Sequence, residues 1–249
     1  MPVSSPVIGD PATSHKGSTH TVPVQGEFLS PCSLRNGYRL EWGSVSAFRP
    51  PGHLPPVNRE MLEFLCTTGV ATRVQLSRFY RGDKKKVAML AKVGVLVEHR
   101  LTGEKRTVIF YTPGPAVALL GFPWTPGWWE QLPLIDVLKR LIANQLYLRF
   151  REVAPVKVFP TRPLLTGAML FNGLDYGIAV VRMGEDGREL RWAEAERLIV
   201  VAEELEQALA VAPHIRAPAR YTFDRLLFKE PLARTFLRAR DGILVPEAG

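Results

Sequence analysis

Between Asn58 and Pro113, three short apolar-striped segments are each opened by a capping side chain, and two β-rich runs around a glycine turn follow them. Asn58 stands before Met61, Leu62, Phe64 and Leu65, and Thr68-Gly69 closes that segment. Short oxygen-bearing side chains at such positions accept the unpaired N–H groups of a helix's first turn. Thr72, with Gln75 three residues on, forms a capping box for a second helix carrying Val74, Leu76 and Phe79. After the turn at Arg81-Gly82, Asp83 caps a third helix with a buried stripe of Val87, Leu90 and Val93. Val95 to Val97, Glu98-His99-Arg100, a turn at Thr102-Gly103-Glu104 and Thr107 to Tyr111 then read as a β-hairpin.

Three helices and a basic hairpin have the layout of a winged helix-turn-helix, with the hairpin as the wing. The stretch holds eleven cationic side chains against five carboxylates, six of the chain's net charge of +8. Surplus charge concentrated on one small module points to a polyanionic partner, and double-stranded DNA fits it best. Lys84, Lys85 and Lys86 occupy the first turn of the third helix, the part that such a helix presents to the major groove. Arg73 and Arg78 on the second helix, Arg81 in the turn, Lys92 at the end of the third helix, and Arg100, Lys105 and Arg106 on the hairpin complete the expected DNA-binding set. His99 is expected at the surface, and Asp83 as a cap rather than a base reader.

The rest of the chain divides by composition. Residues 1–30 are rich in Pro, Ser, Thr and Gly and read as a flexible tail. Residues 31–56 form an extended lead-in, with Tyr38, Leu40, Trp42, Val45 and Phe48 nearly alternating before Pro50-Pro51 and Pro55-Pro56. The winged module takes residues 57–122. A Trp- and Pro-rich connector and a long helix, Leu132 to Val153, take residues 123–155, where Trp124, Trp128 and Trp129 read as packing between domains. Residues 156–249 alternate strand and helix: Val156 to Phe159, Ala168 to Phe171, an Asn172-Gly173 turn, Tyr176 to Arg182, Leu198 to Val201, a helix from Glu203 to Val211, and a strand from Tyr221 to Phe228. The fold class is therefore α+β: an N-terminal winged helix-turn-helix followed by a small mixed α/β domain.

No apolar run approaches the roughly 18–20 residues of a membrane span, and the first residues lack a signal-peptide pattern. A cytoplasmic protein is expected. Cys32 and Cys66, outside any metal-spaced cluster, are expected as free thiols. There is no Ser-His-Asp order, phosphate-cradling glycine loop or HExxH motif, so no cofactor or metal is expected. Glu185, Asp186, Glu189, Glu194, Glu196, Glu203, Glu204 and Glu206 outnumber Arg188, Arg191 and Arg197, giving an acidic surface that repels DNA or docks a basic partner. Arg216, Arg220, Arg225, Lys229, Arg234, Arg238 and Arg240 make the C-terminal region basic again.

The winged run, the hairpin exit IFYTPGPAVALLGF (Ile109 to Phe122) and the long helix LPLIDVLKRLIANQLYLRF (Leu132 to Phe150) resemble the replication-relaxation family of plasmid and mobile-element proteins. The resemblance spans about residues 58–211. It implies a role in replication, transfer or transcriptional control of a mobile element, and a second domain like a restriction-endonuclease fold. Nuclease chemistry on that fold needs an Asp on one strand and a Glu-x-Lys or Glu-x-Asp on the next. The corresponding stretches, Leu165 to Ala168 and Gly177 to Arg182, hold no carboxylate. The domain is therefore expected to be non-catalytic and to serve dimerisation or partner contact. Two alternatives remain: a metal-dependent nuclease using Asp175 with Glu185 or Glu189, and a winged-helix assembly factor that binds protein rather than DNA.

Overall fold

A computed structural model describes residues 28–45, 53–240 and 242–247 of the 249-residue chain. The expected tail up to residue 27, Phe48 and Pro50-Pro51 lie outside the described residues. In chain order the elements are β1 (Arg39–Glu41), α1 (Arg59–Thr68), β2 (Ala71–Thr72), α2 (Arg73–Ser77), α3 (Lys84–Lys92), β3 (Leu96–Thr102), β4 (Thr107–Pro113), α4 (Leu134–Arg151), β5 (Val156–Phe159), β6 (Gly167–Phe171), β7 (Leu174–Val181), β8 (Leu198–Ala202), α5 (Leu205–Val211), β9 (Ala219–Phe223), α6 (Asp224–Lys229), β10 (Leu237–Arg240) and β11 (Ile243–Pro246). The protein is α+β, with a four-stranded sheet in the order β1-β3-β4-β2 and a seven-stranded sheet in the order β11-β10-β9-β8-β7-β6-β5.

The local signals act where the sequence places them. Asn58 accepts from the Met61 N–H, and the Thr72–Gln75 capping box is complete in both directions. Asp83 accepts from the N–H groups of Lys85 and Lys86 at 2.9 and 3.2 Å. Asn172 and Gly173 both have positive φ, 49° and 75°, as a two-residue type I′ hairpin requires, and Phe171 pairs with Leu174 across the turn.

The larger sheet is mixed. β7, β8 and β9 run parallel, while β5, β6, β10 and β11 join antiparallel. β8 is buried at all five residues, since a parallel strand with both faces covered has no polar side to offer water. On one face Ile199, Val201, Ile178 and Val180 meet α4; on the other Val200, Ala202, Ala179 and Val181 meet Ala208 and Val211 of α5.

α4 lies between the N-terminal helices and this sheet, and one apolar core runs through all three layers. Its buried polar residues join the layers. The Gln75 side-chain amide donates to the Leu141 carbonyl at 2.7 Å, and the Asn144 amide donates to the Val70 carbonyl. Gln75 thus caps α2 with its oxygen and binds α4 with its nitrogen.

Residues 28–45 touch both halves. β1 pairs with β3 along its whole length, while Ser30 and Cys32 are buried against the C-terminal half, beside a bidentate Arg182–Asp224 ion pair whose side chains are 0% and 1% exposed. Burial pushes the Cys32 thiol up to about 12, and both cysteines are free.

Several expectations need correction. The flexible tail does not extend to residue 30, because the Phe28 ring packs tilted against Phe228 and Ser30 is buried. Tyr221 to Phe228 is not one strand: it divides at Phe223 into β9 and α6, where Asp224 turns inward to Arg182. Val74 does not join the buried stripe of α2 and is 53% exposed. The terminal hairpin β10–β11 was not anticipated. Among the described residues, no helix is long and apolar enough to cross a membrane.

Candidate nucleic-acid interface

α3 begins in an electrostatically unfavourable way. The N-terminus of a helix carries partial positive charge, and cations in the first turn cost about 0.3–1 kcal/mol each. Lys84, Lys85 and Lys86 all stand there, exposed, with Asp83 as the one carboxylate capping the turn. The preceding turn places Arg81 in the left-handed region at φ 54°, a conformation that costs a side-chain-bearing residue roughly 1–2 kcal/mol, and exposes its guanidinium. Lys86 leans over the Tyr80 ring at 5.8 Å, which leaves Lys84 and Lys85 as the unobstructed pair. Lys92 is exposed in the last turn.

The hairpin has two unlike faces. On one, His99, Leu101 and Phe110 are buried, and Trp42 and Trp129 pack on His99 at 5.0 and 5.5 Å. The other carries Glu98, Arg100 and Thr102 of β3, with Arg39 and Glu41 of β1 in register beside Thr102 and Arg100. Arg73, the first residue of α2, reaches this second face: its guanidinium donates to Tyr111 Oη at 2.9 Å and to Glu98 Oε2 at 2.8 Å. Arg73 thus ties the start of α2 to the exposed hairpin face. Lys105 and Arg106 follow at the turn, both exposed, with Arg106 near Cys32 and Tyr38.

The hairpin tip is anchored. A Cβ on Gly103 would come within 2.6 Å of the Asn36 carbonyl oxygen, so the turn lies tightly under residues 36–38. The same loop reaches the C-terminal half through an Arg35–Glu204 ion pair at 2.7 Å. The hairpin is thus strapped along its β3 edge and at its tip.

The ten expected contact residues fall into three groups. Arg81, Lys84, Lys85, Lys86, Lys92, Lys105 and Arg106 make no ion pair among the described residues, and all are exposed. Arg100 is exposed and approaches Glu98 at 3.7 Å. Arg73 and Arg78 are engaged within the fold, Arg73 as described and Arg78 with Glu152 of α4 at 2.9 Å. Arg39 was missed. Its signal was the Arg39-Leu40-Glu41 alternation, which places it on the exposed face beside Thr102.

His99 is not at the surface. It is 1% exposed; the Gly43 N–H donates to Nδ1, and Nε2 lies 2.9 Å from Thr112 Oγ1. Nδ1 is thereby the unprotonated nitrogen, and Nε2 donates to the threonine. Burial pushes the imidazole down to about 3.

Asp175 does not come together with Glu185 or Glu189. It stands at the start of β7 and pairs with Arg162 at 2.9 Å, whereas both glutamates follow the end of that strand, about 20 Å away at the rise of a β-strand. Glu185 and Glu189 line a cleft of about 490 Å³ with Lys139 and Arg140, and Glu185 pairs with Lys139. Asp175 lines a separate groove beside Trp192. Trp129 is buried and Trp124 donates to the Pro113 carbonyl at 3.2 Å, which occupies both in packing. No family model matches the chain, no curated protein matches it, and no solved structure matches it.

Proposed function

We propose that this protein binds double-stranded DNA through a winged helix-turn-helix formed by α1, α2, α3 and the β3–β4 hairpin. The observation that carries the reading is the first turn of α3. Three adjacent exposed lysines at the positive end of a helix lower the stability of the free protein, and a bound polyanion turns that cost into attraction. Arg81, Arg100, Lys105, Arg106 and Arg39, all exposed, supply further phosphate contacts, so the duplex lies across α3 and the exposed hairpin face. Because the tip is strapped down, the hairpin tracks phosphates along its face rather than inserting as a mobile arm. Arg73 and Arg78 act indirectly, by holding α2 against the hairpin and α4.

The C-terminal sheet serves assembly or partner contact in this reading. The resemblance to the replication-relaxation family supports a role in replication, transfer or transcriptional control of a mobile element. The test is retention of a labelled random 30-base-pair duplex, with single-stranded DNA of equal length as competitor. The wild type retains the duplex against a tenfold excess of single strand, and Lys84→Ala/Lys85→Ala/Lys86→Ala loses it. Equal retention by that variant, with its fold intact by circular dichroism, would mean that α3 does not carry binding.

A further inference from the structure

The three parallel strands of the larger sheet end in register. Val181 of β7 lies beside Ala202 of β8, and Ala202 beside Phe223 of β9. The next residues, Arg182, Glu203 and Asp224, therefore form a charged row along the carboxyl ends of adjacent strands. From that row the chain departs in opposite directions. β8 leads into α5, whose Ala208 and Val211 pack on one face, and β9 into α6, whose Leu227 joins α4 in the core on the other. Two neighbouring parallel strands whose connections diverge leave a crevice between them, the place where open α/β sheets bind their ligands. Here the chain itself occupies it. Ser30 and Cys32 are buried there. The Ser30 hydroxyl bonds the Asp224 carboxylate, and Cys32 lies within electrostatic reach of Arg182, Glu203 and Asp224. Arg35 adds an ion pair to Glu204, one residue further along.

The occupant also grips the hairpin. Cys32 is within electrostatic reach of Arg106, the Tyr38 hydroxyl donates to the Pro31 carbonyl at 2.8 Å, and the Asn36 carbonyl presses on Gly103 at the tip. Residues 28–36 thus touch the crevice and the hairpin tip at once. Little apolar surface holds them. Of their buried residues, Ser30, Ser33 and Asn36 are polar, and Cys32 alone is not. Arg182 Nε and Glu203 Oε2, on the two residues that flank Cys32, are buried with no hydrogen-bond partner among the described residues, so water entering beneath the segment relieves them. Segments with few buried apolar contacts open before the fold as a whole does. We propose that residues 28–36 are a releasable strap: seated, they fill the crevice and pin the hairpin tip; released, they free both while the two sheets and α1 to α4 stay folded. Because the tip belongs to the DNA-binding surface proposed above, the seated strap favours duplex binding. That consequence rests on the DNA-binding reading; the release does not.

The experiment uses the full chain carrying Cys66→Ser, in which Cys32 is the one remaining thiol. Ellman's reagent reaches Cys32 only when the strap lifts. The labelling rate then changes less than about twofold on adding roughly 1 M urea, whereas the unfolded fraction, followed by tryptophan fluorescence, grows at least about fivefold. Gly103→Ala drives a methyl group against the Asn36 carbonyl at the far end of the strap and speeds labelling about tenfold, with the same weak urea dependence. Arg35→Ala, which removes only the ion pair to Glu204, speeds it about threefold. Labelling that follows urea as global unfolding does, or a rate unmoved by both substitutions, would overturn the strap. Saturating duplex slows labelling about threefold, since a ligand that prefers the seated form opposes release. An unchanged rate with duplex bound would cut the link between strap and DNA binding. A chain that binds no duplex would remove the DNA-binding reading, and labelling alone would still decide whether the strap is released.

Discussion

Acidification should destabilise this protein through one buried imidazole. His99 is neutral in the fold and pushed down to about 3 by burial among Trp42, Phe110 and Trp129, whereas in the unfolded chain it titrates near 6.5. The unfolded state therefore binds a proton that the native state refuses. Stability is full above pH 6.5 and falls as pH drops towards 3, by about 1.4 kcal/mol per unit once pH is well below 6.5. Between pH 7.5 and pH 5 the loss is about 2 kcal/mol, enough to lower the folded-to-unfolded ratio roughly thirtyfold. Urea denaturation at half-unit steps over that range measures it. His99→Gln is less stable at pH 7.5, because packing and the Gly43 and Thr112 hydrogen bonds are disturbed. It also lacks the His99-linked part of the slope. The wild-type and variant curves should therefore converge by about 2 kcal/mol as pH falls to 5. Parallel curves would refute the argument, for they would mean that His99 titrates alike in both states.

Three further substitutions probe other parts of the account. Asp83→Ala removes the acceptor for two N–H groups at the start of α3 and should cost about 1 kcal/mol in urea denaturation. Arg78→Ala should leave duplex affinity within about twofold at 150 mM salt, since its guanidinium is held by Glu152, and a tenfold loss would return it to the interface. Asp224→Ala should destabilise the fold by roughly 3–5 kcal/mol by leaving the Arg182 charge buried alone, and Arg182→Met/Asp224→Leu should recover most of that. If the double variant is no more stable than the single one, the cost lies in packing rather than in the orphaned charge.

The elements visible in the sequence were those specified by neighbours in the chain. Asn58, the Thr72–Gln75 box, Asp83 and Asn172-Gly173 each act within a few residues of themselves, so their spacing alone located helices and a turn. The features that were misread depend on distant partners. His99 is buried by Trp42 and Trp129, far from it in sequence, and an alternating strand says only that one face is covered, not which. Arg73 and Arg78 carry charges that suit DNA, but Glu98 and Glu152 meet them only once the chain has folded. Tyr221 to Phe228 is apolar enough for a strand throughout, and it turns to helix where buried Arg182 draws Asp224 inward. The cations of the α3 turn were legible because exposed lysines need no partner to be where they are.

The most direct test of the account is the salt dependence of duplex binding, measured for the wild type and for Lys84→Ala/Lys85→Ala/Lys86→Ala. Each phosphate contact contributes about 0.9 to the slope of log affinity against log salt. The slope should flatten by about 2.7 if all three lysines touch phosphate, or by about 1.8 if Lys85 reads a base edge instead. Identical slopes in the two proteins would contradict the account, because the first turn of α3 would then have no part in neutralising the duplex.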